Sequence, residues 1–271
     1  MITIITIVRN QQNFIEETIK SVLLQEVPNL EYIVIDGAST DGTLDVIHKY
    51  KDQISKIVSE KDDGIYDAIN KGIKMAKFPI IGLINSSDIY VSGILQKVVE
   101  FYYKQPTDIV YGDILFREDE LTESFMTVGH ANHEKLNQSM SLFHPSTFIS
   151  KNVYESFGLY DLKYSSASDY DFLLRLYLNN FRFRYFPEVV SVFRKGGMSG
   201  QANIIINLKE NYLIRYRNLG FIASCKYLFS QLFSFTFFNL RRFFIVRVFG
   251  YKNFVIFKKI YRKGFKFRWL V

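Results

Sequence analysis

Polar side chains gather where four apolar, strand-like runs end. Arg9 and Asn10 follow Ile2–Val8, Asp36 closes Glu31–Asp36, Glu60 and Asp62 follow Ser55–Ser59, and Asn85 through Asp88 close the run that begins at Pro79. Oxygen-rich groups of this kind suit two tasks. Carboxylates hold hard divalent cations, which neutralise a phosphate or diphosphate, and they accept hydrogen bonds from N–H and hydroxyl groups. Asp88, directly after Leu83-Ile84-Asn85-Ser86-Ser87, is placed for the metal. An Asp after a strand equally caps a turn or the next helix. One polar strand end is ordinary; four in register point to a site.

The elements that would carry these residues alternate in type. Ile2–Val8 reads as a buried strand. Ile15, Ile19, Val22 and Leu23 form a helical stripe, with Asn13 and Glu16 spaced as a capping box. Strands at Glu31–Asp36, Ser55–Ser59, Pro79–Asn85 and Asp108–Phe116 are separated by helices at Thr43–Tyr50, from Ile65 through Ala76, and Val91–Tyr103. Such alternation predicts a mostly parallel α/β sheet with helices on both faces. Ligands of these sheets sit at the carboxyl ends of the strands, where the polar residues fall. Residues 116–200 are less regular. They hold a polar segment at Glu118–Glu123, a helix near Ala131–Asn137, a strand at His144–Ile149, a helix at Asp169–Leu178, a strand at Phe181–Phe193 and the Gly-rich run Lys195–Gly200.

The charge is unevenly spread. Of the 34 Lys and Arg, fourteen lie after residue 206, against one of the 27 acids, Glu210, so that segment carries +13 and the rest −6. The tail is also rich in Phe, and its longest uncharged stretch, Tyr227–Leu240, falls short of the ~20 apolar residues that span a bilayer. Amphipathic helices lying at an anionic membrane surface fit this pattern. A packed helical subdomain with a solvated basic face is the other reading. The organisation expected is an α/β domain over 1–200, whose two halves meet near 115, and a membrane-association region over 201–271. A lone cysteine, Cys225, and a strand-like start without a basic leader predict a reducing, cytoplasmic setting at the inner face of the membrane.

Three segments resemble the family 2 glycosyltransferases of GT-A fold. Thr6-Ile7-Val8-Arg9-Asn10, followed by Ile15–Gln25, looks like the opening strand and helix of that family; Val34-Ile35-Asp36-Gly37-Ala38-Ser39-Thr40-Asp41-Gly42-Thr43 is similar to its second-strand signature. Ser59–Gly72 resembles a branch that makes bacterial surface polysaccharides. The resemblance spans about residues 1–200 and implies that they form a catalytic domain, whose first half binds nucleotide and whose second half binds the acceptor. It also implies roles position by position. Thr6–Asn10 would line the nucleotide, through backbone groups and Val8; Asp36 would accept from the uracil ring; Asp41 would cap the next helix. Glu60 and Asp62 would lie by the diphosphate and sugar, partnered by sugar hydroxyls or Lys71. Asp67 and Asn70 would touch sugar or phosphate, or belong to the helix surface. Asp88 would hold Mn²⁺ or Mg²⁺. Ser87 departs from the usual acid, leaving a neutral group for a ribose hydroxyl.

Ser166-Ala167-Ser168-Asp169-Tyr170-Asp171-Phe172 resembles the segment that supplies the base, which the resemblance places at Asp169. Such a carboxylate takes the acceptor proton as the new bond forms. Ser168 and Asp171 have capping-box spacing, which makes Asp171 structural. His144 would contact diphosphate or acceptor, or serve structure alone, and Arg194 or Lys195 would reach phosphate. The resemblance thus implies an inverting transfer of one sugar from a UDP-sugar to a lipid-diphosphate-linked saccharide, as in O-antigen or capsule assembly. A catalytically weak sugar-nucleotide-binding partner is the alternative, prompted by Ser87. The first strand leads into Arg9-Asn10-Gln11-Gln12 rather than a Gly-rich turn, which argues against a nicotinamide dehydrogenase. The Phe content of the basic tail favours lipid over nucleic acid.

Overall fold

The computed structural model describes residues 1–119, 124–194, 204–233 and 236. Strand β1 (Ile2–Val8) is buried along its whole length, which is why its sequence is unbroken Ile, Thr and Val rather than alternating. It lies between β2 (Leu30–Asp36) and β4 (Ile80–Asn85), parallel to both, and β3 (Lys56–Ser59) runs parallel outside β2. Helices α1 (Ile15–Leu23), α2 (Thr43–His48) and α3 (Ile65–Met75) connect these strands. Gly72 lets α3 lie against the sheet, since a Cβ there would stand 2.5 Å from Ile5 Cγ2.

The second half breaks the parallel pattern. Strand β8 (Thr147–Ser150) inserts antiparallel between β4 and β6 (Ile109–Asp119). Strand β9 (Phe183–Arg194) runs parallel to β6, and the two-residue β5 (Ile89–Tyr90) pairs antiparallel with β9. Strand β7 (Ser124–Gly129) folds back on β6 as a hairpin. The order is β3-β2-β1-β4-β8-β6-β9-β5, with β7 on β6. The sheet is therefore mixed, where the alternation predicts one that is mostly parallel. Strand direction follows from how connections return, and the buried run Thr147-Phe148-Ile149-Ser150 carries no directional mark.

Local starts and stops also differ. Helix α1 begins after Phe14 with no side-chain cap, so the Asn13–Glu16 box does not form; Glu16 instead accepts from Tyr50 Oη at 2.7 Å. The Asp41 expectation holds, with Thr43 N–H donating to Asp41 Oδ1 at 3.1 Å. The helix expected near Ala131–Asn137 is one 3₁₀ turn, His133–Lys135, and the strand expected from His144 opens with another, His144–Ser146. Helices α4 (Ile94–Lys104), α5 (Lys151–Phe157) and α6 (Ser168–Leu178) complete this part.

Packing groups the chain into Met1–Ile214 and Arg215–Val271, and helix α7 (Ile204–Leu219) begins in the first. In the second, a helix over 221–233 exposes Phe221, Ile222, Phe229, Leu232 and Phe233, and the Arg215 guanidinium stacks on Tyr227. Among the described residues no helix is long and apolar enough to cross a membrane. The boundary expected near 200, the run Lys195–Gly200 and residues 237–271 lie outside the described residues.

Candidate active site

The parallel register levels the strand ends. Val8 pairs with Asp36, Asp36 with Ser59 and Ile7 with Asn85. Thr6 sits two residues below that rim, and Val8 is level with it but faces the core. The Thr6 hydroxyl meets Tyr32 Oη at 3.0 Å inside the core, and Val8 is packed among buried apolar side chains. For Val8 this is a correction to the nucleotide-lining expectation, because β1 turns its side chain into the core; Thr6 was expected to act through its backbone, which its inward hydroxyl does not bear on. Arg9 and Asn10 are the exposed residues beyond it. Asn10 adopts φ 51° and is tied to the β2 exit: its N–H donates to Ser39 Oγ at 2.9 Å, and its Oδ1 accepts from Thr40 N–H at 2.9 Å.

Asp36 is buried and already bonded. Its carboxylate accepts from the Ser39 N–H at 3.1 Å, from the Ser39 hydroxyl, and from Ser59 Oγ at 2.6 Å. Three donors fix it as the knot between the exits of β2 and β3. A Cβ on Gly37 would lie 3.1 Å from Asp62 Oδ2 and 3.4 Å from Arg9 Cδ, so these three residues converge.

Helix α3 presents two adjacent faces. On one, Asp67 and Lys71 stand four residues apart, and Lys71 Nζ pairs with Asp62 at 2.7 Å, Glu60 at 2.8 Å and Asp67 at 3.2 Å. The three carboxylates hold the Lys71 ammonium well above its usual range, Asp62 foremost. Burial raises Asp62, against the pull of Lys71. The anions thus meet Lys71, as the Ser59–Gly72 resemblance allows. On the other face stand Tyr66 and Asn70. Asn70 Nδ2 donates to the Tyr160 carbonyl at 2.9 Å, and its Oδ1 accepts from Tyr160 N–H at 3.1 Å. This is a correction: Asn70 is buried and clamps Tyr160, so its amide is engaged on both ends. Tyr66 Oη donates to Asp169 Oδ1 at 3.0 Å.

Asp169 is the second residue of α6. Tyr66 and its neighbour's backbone N–H (Tyr170, 2.8 Å) hold Oδ1, and no described residue bonds Oδ2. The capping box expected at Ser168 and Asp171 does not form. Ser168 Oγ donates to the Asp161 carbonyl, and Asp171 pairs with Arg175 at 2.8 Å. His144 stands edge-on to Tyr160, with ring centres 6.1 Å apart. Burial lowers its pKa, and the Asp169 charge partly opposes that. Its Nε2 is buried and makes no hydrogen bond among the described residues.

The antiparallel pairing of β8 brings this corner to the same rim. Gly82 faces Phe148, so moving up β4 toward Asn85 means moving down the other strand toward His144. Asp88 is reached three residues past Asn85. It is buried, its Oδ1 accepts from Arg194 N–H at 3.3 Å, and burial pushes its carboxyl up to about 7 despite that bond. The Asn85 Nδ2 contact is long, 3.5 Å, and Asn85 Oδ1 is buried with no hydrogen-bond partner among the described residues. Ser87 is half-buried, and no described residue bonds its hydroxyl. Arg194 lays its guanidinium over Phe14 and pairs with Glu17 at 2.9 Å. Its backbone, rather than its side chain, meets Asp88.

Among the described residues no three His, Cys, Asp or Glu side chains gather as a metal cage. The Asp88 carboxylate and the unbonded Asn85 carbonyl are hard oxygens, which fit an ion that completes its shell with phosphate oxygens. Four residues went unforeseen in their roles: Tyr66, Tyr160, Glu210, which accepts from the loop before α6, and Asp113. The spacing of Tyr66 and Asn70 marks one helix face, whereas nothing in the local sequence of Tyr160 or Glu210 marks their partners. Asp113 lies at a register shift between β6 and β9 and accepts from His130 at 2.7 Å, Tyr185 at 3.0 Å and Ala131 N–H at 2.9 Å.

Known proteins resemble this chain in sequence and in fold. The PGL/p-HBAD biosynthesis glycosyltransferase of Mycobacterium bovis is 27% identical over 213 residues, 76% of this chain and 81% of that protein. The S. aureus TarS 1–349 structure in complex with UDP-GlcNAc superposes with a TM-score of 0.65 at 16% identity, covering 80% of this chain and 67% of that one. Against the longer TarS structure the chain spans 38% of its length. The mannosyltransferase PcManGT of Pyrobaculum calidifontis, in complex with GDP-Man and Mn²⁺, gives 0.62 at 18% identity, covering 80% and 64%. Those structures establish the likeness of fold. The sequence pattern of glycosyl transferase family 2 matches residues 3–158, more than half the chain, and this protein belongs to that family.

Proposed function

We propose that the chain is an inverting, metal-dependent hexosyltransferase that moves one sugar from a nucleotide-sugar, a UDP-sugar, to a hydroxyl of a lipid-diphosphate-linked saccharide. The observation that carries this reading is the common rim: Asp36, the Lys71 cluster and Asp88 follow the carboxyl ends of the parallel strands β2, β3 and β4, and Tyr66 ties Asp169 to the same side. The donor would lie across that rim, its base toward Asp36 and Asn10, its ribose toward Ser87, and its sugar toward Glu60, Asp62 and Asp67. Asp36 is already held by Ser39 and Ser59, so the base would meet a fixed acceptor rather than reorganise one.

In the transfer, the acceptor oxygen attacks the anomeric carbon from the face opposite the diphosphate. The new C–O bond forms as the bond to the diphosphate oxygen breaks, and the hydroxyl proton passes to Asp169 Oδ2. Tyr66 holds the other oxygen of that carboxylate and so fixes its direction. Asp88, with the Asn85 carbonyl, would hold Mn²⁺ or Mg²⁺, which supplies charge neutralisation for the departing diphosphate. His144, kept neutral by burial, suits a hydrogen bond to acceptor or phosphate without adding charge. Arg194 would reach phosphate only after leaving Glu17.

The exposed apolar side chains over 221–233, with the basic tail, support a peripheral seat on the cytoplasmic face of the membrane. The resemblance of Ser59–Gly72 supports a role in surface polysaccharide assembly. A second reading, a catalytically weak sugar-nucleotide-binding partner, is favoured by Ser87 and by the raised pKa of Asp88. The test is a screen of UDP-sugars for nucleotide release with lipid-diphosphate-linked saccharides, with and without EDTA. Turnover that needs metal and is lost in Asp169→Asn is expected; binding without turnover selects the second reading, and no binding ends both.

A further inference from the structure

The one acid in the basic segment after residue 206 is not on the surface. Glu210, on α7, is 7% exposed and spends both carboxylate oxygens on the three residues before α6. Oε1 accepts from Ser165 N–H at 2.7 Å and Ser165 Oγ at 2.9 Å; Oε2 accepts from Ser166 N–H at 2.9 Å and Ala167 N–H at 3.0 Å. Helix α6 has no side-chain cap of its own, and its N-cap is Ala167. A helix leaves its first N–H groups without partners, and an anion there is favoured by the helix dipole. Glu210 supplies that anion from 43 residues away, two residues before Asp169. Its charge also reaches Tyr66, which donates to Asp169.

We propose that Glu210 is a positioning residue for Asp169: it pins residues 165–167 so that the carboxylate at the start of α6 keeps its direction. The inference rests on the reading of Asp169 as the base. Asn207, one turn earlier on α7, donates to Ser166 Oγ at 3.1 Å and adds a neutral contact to the same loop. A carboxylate can take all four donors at once, because each of its oxygens bears two lone pairs. Glutamine keeps the shape but offers one oxygen, so Glu210→Gln loses about half the bonds and turns an N–H toward N–H groups. A displacement of about 1 Å in a reacting group costs on the order of a hundredfold in rate.

The experiment uses the full chain in two readouts. Hydrogen exchange comes first and needs no substrate. Glu210→Gln is expected to expose the amides of residues 165–167 at least tenfold faster, with the β1–β4 amides unchanged; equal exchange at 165–167 overturns the pin. Turnover of the UDP-sugar found in the screen comes second. The expected result is a kcat ten- to a hundredfold lower at unchanged donor affinity, and little further loss when Glu210→Gln is added to Asp169→Asn, whose residual rate is read with radiolabelled donor. A wild-type kcat overturns the proposal, as does a loss that multiplies fully with Asp169→Asn. Should Asp169→Asn itself turn over normally, the base assignment fails, while the exchange data still report on the pin.

Discussion

Asp88→Asn offers a sharp check on the buried carboxylate, because its effect has a sign that depends on pH. In the folded protein burial raises Asp88 from 3.8 to about 7. Between about pH 4 and pH 7 the folded protein therefore keeps a proton that the unfolded chain has released. Stability falls as pH rises through that window, and the loss is complete above pH 7. Three decades at about 1.4 kcal/mol each set an upper limit on the order of 4 kcal/mol. Neighbours that relax and water that enters return part of it, so about 2 kcal/mol is the working figure. Asparagine removes the titration. Its Oδ1 accepts from Arg194 N–H as before, and its amide N–H can donate to Asn85 Oδ1, which is buried with no hydrogen-bond partner among the described residues.

The assay is a thermal melt of both proteins in EDTA at pH 5 and pH 8. The margin of Asp88→Asn over wild type should grow by about 1–3 kcal/mol between them, or about 2–5 °C at this chain length. Shifts common to both proteins cancel in the difference. A margin that does not change with pH would mean the carboxylate is solvated, and the packing of β5, β9 and Arg194 around it would be wrong.

Other substitutions test the frame of the site. Asn70→Ala removes both bonds to the Tyr160 backbone and should lower stability by about 1–3 kcal/mol in denaturant melts; a neutral result would show that α3 does not clamp that loop. Gly72→Ala brings a Cβ to within 2.5 Å of Ile5 Cγ2, and a loss of about 1–3 kcal/mol is expected even though Ala favours helix. Vesicle flotation addresses the tail. Binding to anionic vesicles should weaken steeply with salt, at about 1 kcal/mol for each basic residue near the surface, and weaken again in Phe229→Glu; equal binding to neutral vesicles would contradict an electrostatic seat.

The strands and helices of the first half, and the polar residues that follow its strands, were legible because they rest on local causes, whereas β5, β7 and α5 were not foreseen. Runs such as Ile2–Val8 are buried from end to end, so their apolarity is written in consecutive residues. The polar residues that follow them lie at the rim because a parallel sheet places every carboxyl end on the same side. Asp36 and Asp88 could therefore be named, whereas Lys71 and Asp169, both on helices, were marked by the family resemblance alone; the exposed apolar side chains of the basic tail could also be expected. Thr6, Val8 and Asn70 could not be sorted this way: whether a side chain faces the core or the rim depends on which neighbour the backbone meets.

Long-range partners belong to the folded chain alone. The antiparallel entry of β8 brings the turn that holds His144 toward the carboxyl end of β4, and no periodicity in four buried residues records a direction. Asp171 shows the limit of a spacing rule, since Arg175 sits one turn on and takes the carboxylate that the capping box would use. Asp88 could be named as a metal ligand, but not as a buried acid: α1 and the end of β9 close over it and remove its water. Composition marks Glu210 as the odd acid in a basic segment; only packing, by setting it against three unpaired N–H groups, gives that charge a use.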